Sequence, residues 1–186
     1  MRSSLLQFGL GALLALGSVG CNDYLTGTKL SGDPNNPTPA DATMDLLFVA
    51  AQTSLGGQMT GELARAACMF TQQCAGTDRQ YASIGTYVVD AGTFTGSFDR
   101  FYTGGGLLDL RIIQQKALAV TPAPDSIYLG VAKVMEAWMI GTAADLWGDV
   151  PYSEAVDPVN HPTPKYDNQL AIYAAQIGRA SCRERV

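Results

Sequence analysis

The chain has 186 residues, of which 47% are hydrophobic and 16% charged, and its formal net charge is −5. This length suffices for one domain with a sizeable core. The negative charge and the lack of a basic patch interleaved with aromatic residues exclude nucleic acid as a partner, because a phosphate backbone requires a basic surface. The chain has a single histidine and no Cys-X-X-Cys pair. We therefore predict that it binds no metal ion and no cofactor.

Residues 1–20 have the pattern of a bacterial export signal. Arg2 supplies the positive charge, an apolar stretch runs from Leu5 to Leu16, and small residues follow up to Gly20. The apolar stretch is too short to cross a hydrocarbon core of roughly 30 Å as a helix. We therefore interpret residues 1–20 as a signal peptide rather than a membrane span.

The four residues from Ser18 to Cys21 resemble a bacterial lipobox, in which the cysteine becomes the lipidated first residue of the mature protein. Ser18 departs from the usual pattern, which has leucine there. Two or more acyl chains anchor a protein stably, because each buried CH₂ contributes roughly 0.8 kcal/mol. Cys21 is the predicted lipid-anchor site. The alternative is ordinary cleavage near Gly20, which leaves a free cysteine.

A tether and a helical domain are predicted to follow. Residues 21–42 are dense in Pro, Gly, Asn, Asp and Thr, a composition typical of a tether and turns. From Thr43, the predicted N-cap of a first helix, apolar residues recur with helical spacing, and the helical domain is assigned to residues 43–176. The Gly56-Gly57 pair is expected to break or kink this helix, and a second helix is expected to continue to about Gln73.

The stretch from Gly76 to Gly96 has no clear periodicity and predicts a long loop. It contains Tyr81, Tyr87 and Phe94. Aromatic side chains on an exposed loop can stack on sugar rings or peptide groups. The alternative is that they fold down and cover the helices beneath.

Helical spacing returns from Phe98 to Val120, with a bend expected near Gly104 to Gly106, and again after the turn that ends at Asp125. The next helix is expected to end at Trp147, where Gly148 permits a left-handed conformation. The apolar residues of that helix form one stripe with four further residues beside it: Ile127, Val131, Val134 and Trp138 in the stripe, and Tyr128, Met135, Met139 and Leu146 beside it.

A proline-punctuated segment then leads to a last helix, with Asp167 as its expected N-cap. Few segments alternate with a period of two. The predicted fold is mostly α, with antiparallel helix pairs joined by turns and long loops.

The four cysteines do not have the pattern of a disulfide framework. Six residues turn a helix by about 600°, so Cys68 and Cys74 cannot be bridged within a continuous helix. Two interpretations stay open: two small half-buried residues, or an oxidised pair across a helix end, which an exported protein permits.

The stretch "ADLWGDVPYSEA" carries three carboxylates, at Asp145, Asp149 and Glu154. A pair of carboxylates is typical of a hydrolase, but no matched nucleophile, base and oxyanion donors accompany them. We therefore predict no enzymatic activity and interpret the stretch as a helix exit.

Trp138 and Trp147 do not form one sugar-stacking platform, because nine residues turn a helix by about 900° and place them on opposite sides. Both are expected to pack in the core.

"DLWGDVPYSEA" looks like the hallmark segment of the SusD/RagB-type nutrient-binding lipoproteins of the outer membrane. Three further features agree in order: the lipobox cysteine followed by "NDYL", "DPNNPT" at Asp33 to Thr38, and "PKYDNQLAIYAAQI" at Pro164 to Ile177. The resemblance covers roughly residues 21–176.

This resemblance implies tetratricopeptide-like helix pairs, a lipid anchor at Cys21 and a place on the outer face of the outer membrane. It implies a non-enzymatic lid on a TonB-dependent transporter of the SusC type, which captures glycans or peptides. No ligand-binding residue is carried over, because these positions vary among members. The competing hypothesis is a helical-repeat scaffold for protein interactions without its own ligand.

The closing residues 177–186 match one reading frame of a common short-read sequencing adapter. We interpret them as adapter translation, so Cys182 and the arginines of this stretch support no functional prediction. The native part, residues 1–176, is then the truncated N-terminal part of a longer SusD-like protein. Exposed apolar helix faces are expected on it, where absent helices would pack.

Overall fold

The structure is a computed structural model that describes residues 41–180. The chain divides between Ala42 and Thr43, and the fold described is that of the second part. The mostly-α prediction is confirmed, since strand within residues 41–180 is confined to one two-residue pair. The elements in chain order are α1 (Met44–Thr60), α2 (Glu62–Phe70), α3 (Arg79–Gly85), α4 (Thr95–Arg100), α5 (Leu107–Leu118), α6 (Ser126–Trp147), β1 (Val150–Pro151), β2 (Tyr166–Asp167) and α7 (Gln169–Ala180).

The long helix α6 is the centre of the fold, with α5 and α7 packed against it and α1 packed against α5. The segment after α6 folds back onto these helices. A buried apolar cluster combines residues from α5, α6, the segment after α6 and α7: Leu107, Ile140, Ala144, Val150, Tyr152, Ala155 and Ile172. The core is therefore closed by the segment after α6 as well as by the helices.

Helix ends set by local chemistry lie where the sequence predicts them. The Thr43 hydroxyl accepts a hydrogen bond from the backbone N–H of Leu46 at 3.3 Å, which confirms it as an N-cap. Helix α6 begins after Asp125, whose carboxylate accepts from the N–H groups of Ile127 and Tyr128. It ends at Trp147, and Gly148 has a φ of +76°, as predicted.

Of the two alternatives for Gly56-Gly57, a break or a kink, the break is wrong, because α1 continues through both glycines and ends before Gly61. Interior glycines cost roughly 1 kcal/mol each relative to alanine, and packing offsets this cost. Leu55 is buried, and the buried Gln58 donates from Nε2 to the carbonyl of Ser97 at 2.7 Å. The chain turns at Gly61 instead, where a Cβ atom would overlap the carbonyl oxygen of Gly57.

The apolar stripe predicted for α6 is not its buried face, although Met135 and Met139, which were placed beside that stripe, are buried. The predicted stripe is exposed, from 38% at Val131 to 76% at Ile127, with Trp138 56% exposed. The opposite face is buried, and its apolar members are Leu129, Ala132, Met135, Met139, Ile140, Ala143 and Ala144. The helix is apolar on most of its circumference, so periodicity did not select the face. Its alanines permit the close approach of neighbouring helices. An exposed apolar face is nevertheless present, as expected.

The last helix starts later than predicted. Asn168 is the N-cap of α7, since its Oδ1 accepts from the N–H of Leu170 at 3.0 Å, whereas Asp167 lies in β2. Helix α7 runs to Ala180, so it is not interrupted at Gln176. One glycine after that position is not enough to end a helix. The adapter origin of residues 177–186 stays a prediction.

The predicted loop between Gly76 and Gly96 contains the short helix α3. Tyr81 and Phe94 pack against a small cluster of Ala66, Met69 and Ile84, so both fold down onto the helices. Tyr87 behaves differently and is 53% exposed. Its ring stacks on that of Phe70 with centroids 5.7 Å apart.

Cys68 and Cys74 form a disulfide, with their Cα atoms 5.3 Å apart. Helix α2 ends at Phe70, so the condition of a continuous helix does not hold. Of the two interpretations left open by the sequence, the structure supports the oxidised pair across a helix end. The bridge closes the turn between α2 and α3.

We expect Gly61→Ala to lower the free energy of unfolding by about 1–3 kcal/mol, because its Cβ would overlap a backbone carbonyl. The matched control is Gly130→Ala in α6, where a Cβ meets no atom within 4 Å. That change should leave stability unchanged or raise it by up to about 1 kcal/mol. Urea unfolding followed by circular dichroism measures both, and equal effects would show that the turn does not require Gly61.

Candidate functional site

The segment after α6, residues 148–168, is here named the exit segment. It leaves the helix at Gly148, forms β1, loops outward and returns as β2. The two strands are antiparallel, with Val150 opposite Asp167 and Pro151 opposite Tyr166. The exit segment is therefore a hairpin with a long loop, and it contains most of the stretch that resembles the family hallmark.

A buried carboxylate joins the helices to the exit segment. Glu136 has no exposed surface and accepts hydrogen bonds from Gln114 Nε2 at 2.5 Å and from the Tyr152 hydroxyl at 3.1 Å. The Nε of Arg111 lies 3.7 Å from its Oε1. A buried charge is tolerated only when it is paired and hydrogen-bonded. Glu136 therefore holds α5, α6 and Tyr152 in one arrangement.

Arg111 extends this network into the loop. Its two terminal nitrogens donate to the carbonyl oxygens of Tyr152 and Ala155, both at 2.6 Å. Its guanidinium also lies 5.4 Å from the centre of the Tyr152 ring. Because the guanidinium fork is planar and rigid, these bonds fix the direction of the backbone between the two carbonyls.

Asp167 holds the same loop from the other strand. Its Oδ2 accepts from the N–H groups of Tyr152 at 3.1 Å and Ser153 at 2.6 Å, and its Oδ1 accepts from the Ser153 hydroxyl at 2.9 Å. Burial alone raises the pKa of Asp167, but these hydrogen bonds outweigh it and the pKa lies below the ordinary value of 3.8. The charged form of Asp167 is thus the one that stabilises the loop.

The three carboxylates considered for catalysis all have structural partners. Asp145 accepts from the Tyr173 hydroxyl at 2.5 Å, and Asp149 accepts from the N–H of Gln169 at 2.9 Å. Glu154 accepts from the N–H of Lys165 at 3.1 Å, and these contacts lower its pKa. This arrangement agrees with the interpretation of the stretch as a helix exit.

Two clefts flank the exit segment, and the first is polar. It has a volume of about 460 Å³ and lies between α5 and the outer part of the loop, with Arg111, Asp157 and His161 among its lining residues. Val156, also on its wall, has a φ of +57°, which is unusual for a β-branched residue. The exit segment is thus held in a strained conformation on this side.

The second cleft, here named the aromatic cleft, has a volume of about 280 Å³. Its lining residues come from the turn before α4, from α4, from the end of α6, from the position before β1 and from β2: Ala91, Thr95, Phe98, Trp147, Asp149 and Tyr166. The Trp147 ring meets those of Phe98 and Phe101 edge-on, at centroid distances of 5.2 and 5.8 Å. Trp147 therefore has a fixed orientation, with one part in the core and another on the cleft.

Tyr102 enlarges the aromatic cluster beneath this cleft. Its ring lies 5.2 Å from that of Phe98, and its buried hydroxyl has no hydrogen-bond partner among the described residues. Burial raises the pKa of Tyr102, and the neighbouring Tyr166 and Asp167 raise it further. The ring therefore contributes to the cluster as a neutral, apolar body.

The predicted site residues are only partly brought together. Trp138 and Trp147 lie apart, as predicted, but Trp138 is exposed rather than in the core. Cys21 lies outside the described residues. The sequence reasoning missed Arg111 and Glu136, although an acidic residue inside the apolar run of α6 is a recognisable signal for a buried network.

Two negative observations apply to residues 41–180. Their His, Cys, Asp and Glu side chains form no cluster that could hold a metal ion. Their helices do not combine the length and hydropathy that a membrane span requires.

The sequence pattern of a SusD-like family, described as starch-binding and associating with the outer membrane, matches residues 34–179. The matched stretch contains the exit segment, its buried network and both clefts. A comparison with curated proteins found none that matches this chain.

We expect Arg111→Ala to lower the free energy of unfolding by about 3–5 kcal/mol, because it leaves the buried Glu136 without its cationic partner. Arg111→Lys should cost less, since it keeps the charge but loses the fork. Arg100→Ala, on the exposed end of α4, is the control and should change stability by about 0.5 kcal/mol at most. Adding Glu136→Gln to Arg111→Ala should recover part of the loss. Chemical denaturation measures all four, and equal effects of the two alanine variants would contradict the network.

The stabilisation by Asp167 should depend on pH. Because its folded pKa is lowered, this stabilisation is complete above the unfolded pKa of about 3.9 and is lost as the pH falls through the folded value. Asp167→Asn should therefore melt below the wild type at pH 7, and the difference should shrink below about pH 4. Thermal melts from pH 7 to 3 test this. Asp99→Asn, an exposed change on α4, serves as the control. A constant difference between Asp167→Asn and the wild type would refute the pKa argument.

Proposed function

The chain belongs to the SusD-like family of starch-binding proteins that associate with the outer membrane, and on that premise we propose that it is a nutrient-binding lipoprotein without enzymatic activity. In this proposal it captures a glycan or a peptide and acts as the lid of a TonB-dependent transporter of the SusC type. The observation that carries the proposal is the family match over residues 34–179. The starch-binding description favours a glycan over a peptide.

The geometry of the site supports binding rather than catalysis. The exit segment is fixed by Arg111 and Asp167, and two clefts lie beside it. A fixed surface loses little conformational entropy when it binds a ligand. The carboxylates that a hydrolase would need are engaged in structural hydrogen bonds at Asp145, Asp149 and Glu154.

The proposed location rests on the N-terminal sequence. Cys21 follows an apolar stretch with the pattern of an export signal, and residues 21–42 have the composition of a tether. A lipid at Cys21 and a tether of this kind would hold the helical domain near the membrane surface. The family description identifies this membrane as the outer membrane.

A second candidate function has one observation in its favour. The exposed stripe of α6, which runs from Ile127 to Trp138, is apolar over three turns of helix. Exposed apolar patches often mark protein-interaction surfaces. A helical scaffold without a ligand of its own would use such a face, and it would bind no nutrient.

We expect Cys21→Ala to move the exported protein from the detergent phase to the aqueous phase in a Triton X-114 partition, because the acyl chains are lost. Cys182→Ala is the matched control, since it removes a cysteine and keeps the lipobox. Partitioning that survives Cys21→Ala would exclude the lipid anchor at this residue.

The same Cys21→Ala protein tests the ligand. It should sediment with insoluble starch and be released by soluble maltooligosaccharides, whereas a protein without glycan affinity would stay in the supernatant. Failure to bind any glycan or peptide offered would favour the scaffold. Cross-linking of the lipidated protein to a SusC-type transporter tests the lid role.

A further inference from the structure

We propose that the aromatic cleft binds one uncharged sugar ring at a time, which stacks on Tyr166 and Trp147 and donates hydrogen bonds to Asp149 and Thr95. This inference rests on the proposed nutrient-binding function and assigns it a place and a ligand class. The sequence gives no hint of this pairing, because Phe98, Trp147 and Tyr166 come from three separate elements.

The Trp147 ring and the backbone of Tyr166 are fixed before any ligand arrives. Trp147 is held edge-on by Phe98 and Phe101, with interplanar angles of 69° and 74°. Tyr166 is 67% exposed, yet its backbone is fixed in β2 opposite Pro151. The electron-rich face of an aromatic ring attracts the polarised C–H groups of a sugar ring. Rings that are already oriented lose little entropy on binding.

The polar part of the cleft has unused hydrogen-bonding capacity. Among the described residues, Asp149 receives its hydrogen bonds at Oδ1, from Gln169 N–H at 2.9 Å and Asn168 Nδ2 at 3.4 Å. Its Oδ2 is left to accept from a sugar hydroxyl. Thr95 donates its hydroxyl proton to the carbonyl of Gly92 at 3.0 Å, so its oxygen can still accept. Two acceptors beside an aromatic ring suit a ligand with several hydroxyl groups.

The volume of the aromatic cleft and the charge of its lining limit the class of ligand that it can hold. A volume of about 280 Å³ lies just below the range of about 300–1,000 Å³ for pockets that hold drug-sized molecules. This favours one sugar ring rather than an extended peptide. The carboxylate of Asp149 in the lining would repel uronate or sulfated sugars, because like charges are unfavourable at an interface. The polar cleft has no Phe, Tyr or Trp among its lining residues, so of the two clefts beside the exit segment the aromatic cleft is the better suited to stacking.

The two tryptophans of the chain permit a direct test. Trp138→Phe leaves Trp147 as the sole tryptophan, so fluorescence of the full-length variant reports on the cleft. We expect maltoheptaose to change the Trp147 emission. Calorimetry should give this variant the wild-type affinity, because Trp138 lies outside the cleft.

Two variants should weaken binding. Tyr166→Ala should lower the association constant for maltoheptaose by about tenfold, through loss of the stacking surface. Asp149→Asn keeps Oδ1 for Gln169 but replaces Oδ2 with a donor, and it should weaken binding severalfold. Tyr87→Ala, an exposed tyrosine outside the cleft, is the matched control and should bind as the wild type does. Asp149→Asn keeps the test decisive if circular dichroism shows that Tyr166→Ala is misfolded. Oligogalacturonate, an anionic glycan, should bind more weakly than maltoheptaose.

The outcomes separate the two proposals. Maltoheptaose binding that leaves Trp147 emission unchanged and is unaffected by both cleft variants would overturn the cleft assignment and keep the nutrient-binding function. A wild-type protein that binds no neutral glycan would overturn the cleft assignment, and one that binds no peptide or other glycan either would overturn the nutrient-binding function as well. Loss of affinity in both cleft variants, with the Tyr87→Ala control intact, is the result that the proposal requires.

Discussion

The carboxylate of Glu136 lies inside the helical core with no exposed surface, and the groups that surround it determine how the chain runs after α6. Its hydrogen bonds come from Gln114 on α5 and from Tyr152 in the exit segment, and Arg111 supplies the opposite charge. An unpaired carboxylate at this depth would cost several kcal/mol. The packing of α5 on α6 and the closing of the exit segment onto the core are consequently parts of one arrangement.

This arrangement determines the candidate binding surface. Arg111 holds two carbonyl groups of the loop, and Asp167 holds the N–H groups of Tyr152 and Ser153. With both kinds of backbone group engaged, the hairpin has little freedom to move. Tyr166, next to Asp167 in β2, is then presented on the cleft side with a defined position. A buried ion pair thus helps to fix the backbone that carries an exposed aromatic residue on a different element.

The sequence predicted what depends on local chemistry. The N-cap at Thr43 and the end of α6 at Gly148 follow from the neighbouring residues alone. The turn at Gly61 could not be predicted in this way, since it depends on a close approach to the Gly57 carbonyl. The state of Cys68 and Cys74 likewise depends on where α2 ends.

The site was less predictable than the fold for the same reason. Spacing along α6 excludes a platform made of Trp138 and Trp147, and the structure agrees. It cannot show that Trp147 packs against Phe98 and shares a cleft with Tyr166, because the cleft forms only after the exit segment has folded back. Apolar content on most sides of α6 also concealed which face is buried.

The two tryptophans of α6 lie on two different surfaces of the same helix. Trp138 belongs to the exposed apolar stripe, and Trp147 lines the aromatic cleft at the end of the helix. About two and a half turns separate them and direct them to opposite sides. A protein that covers the stripe would therefore leave the cleft open to a sugar. Ligand stacking on Trp147 would also stabilise the fold, because a ligand that binds only the folded state favours that state. The same ring packs against Phe98 and Phe101. The proposed sugar binding and a protein contact would thus be compatible, because they would use two different faces of α6.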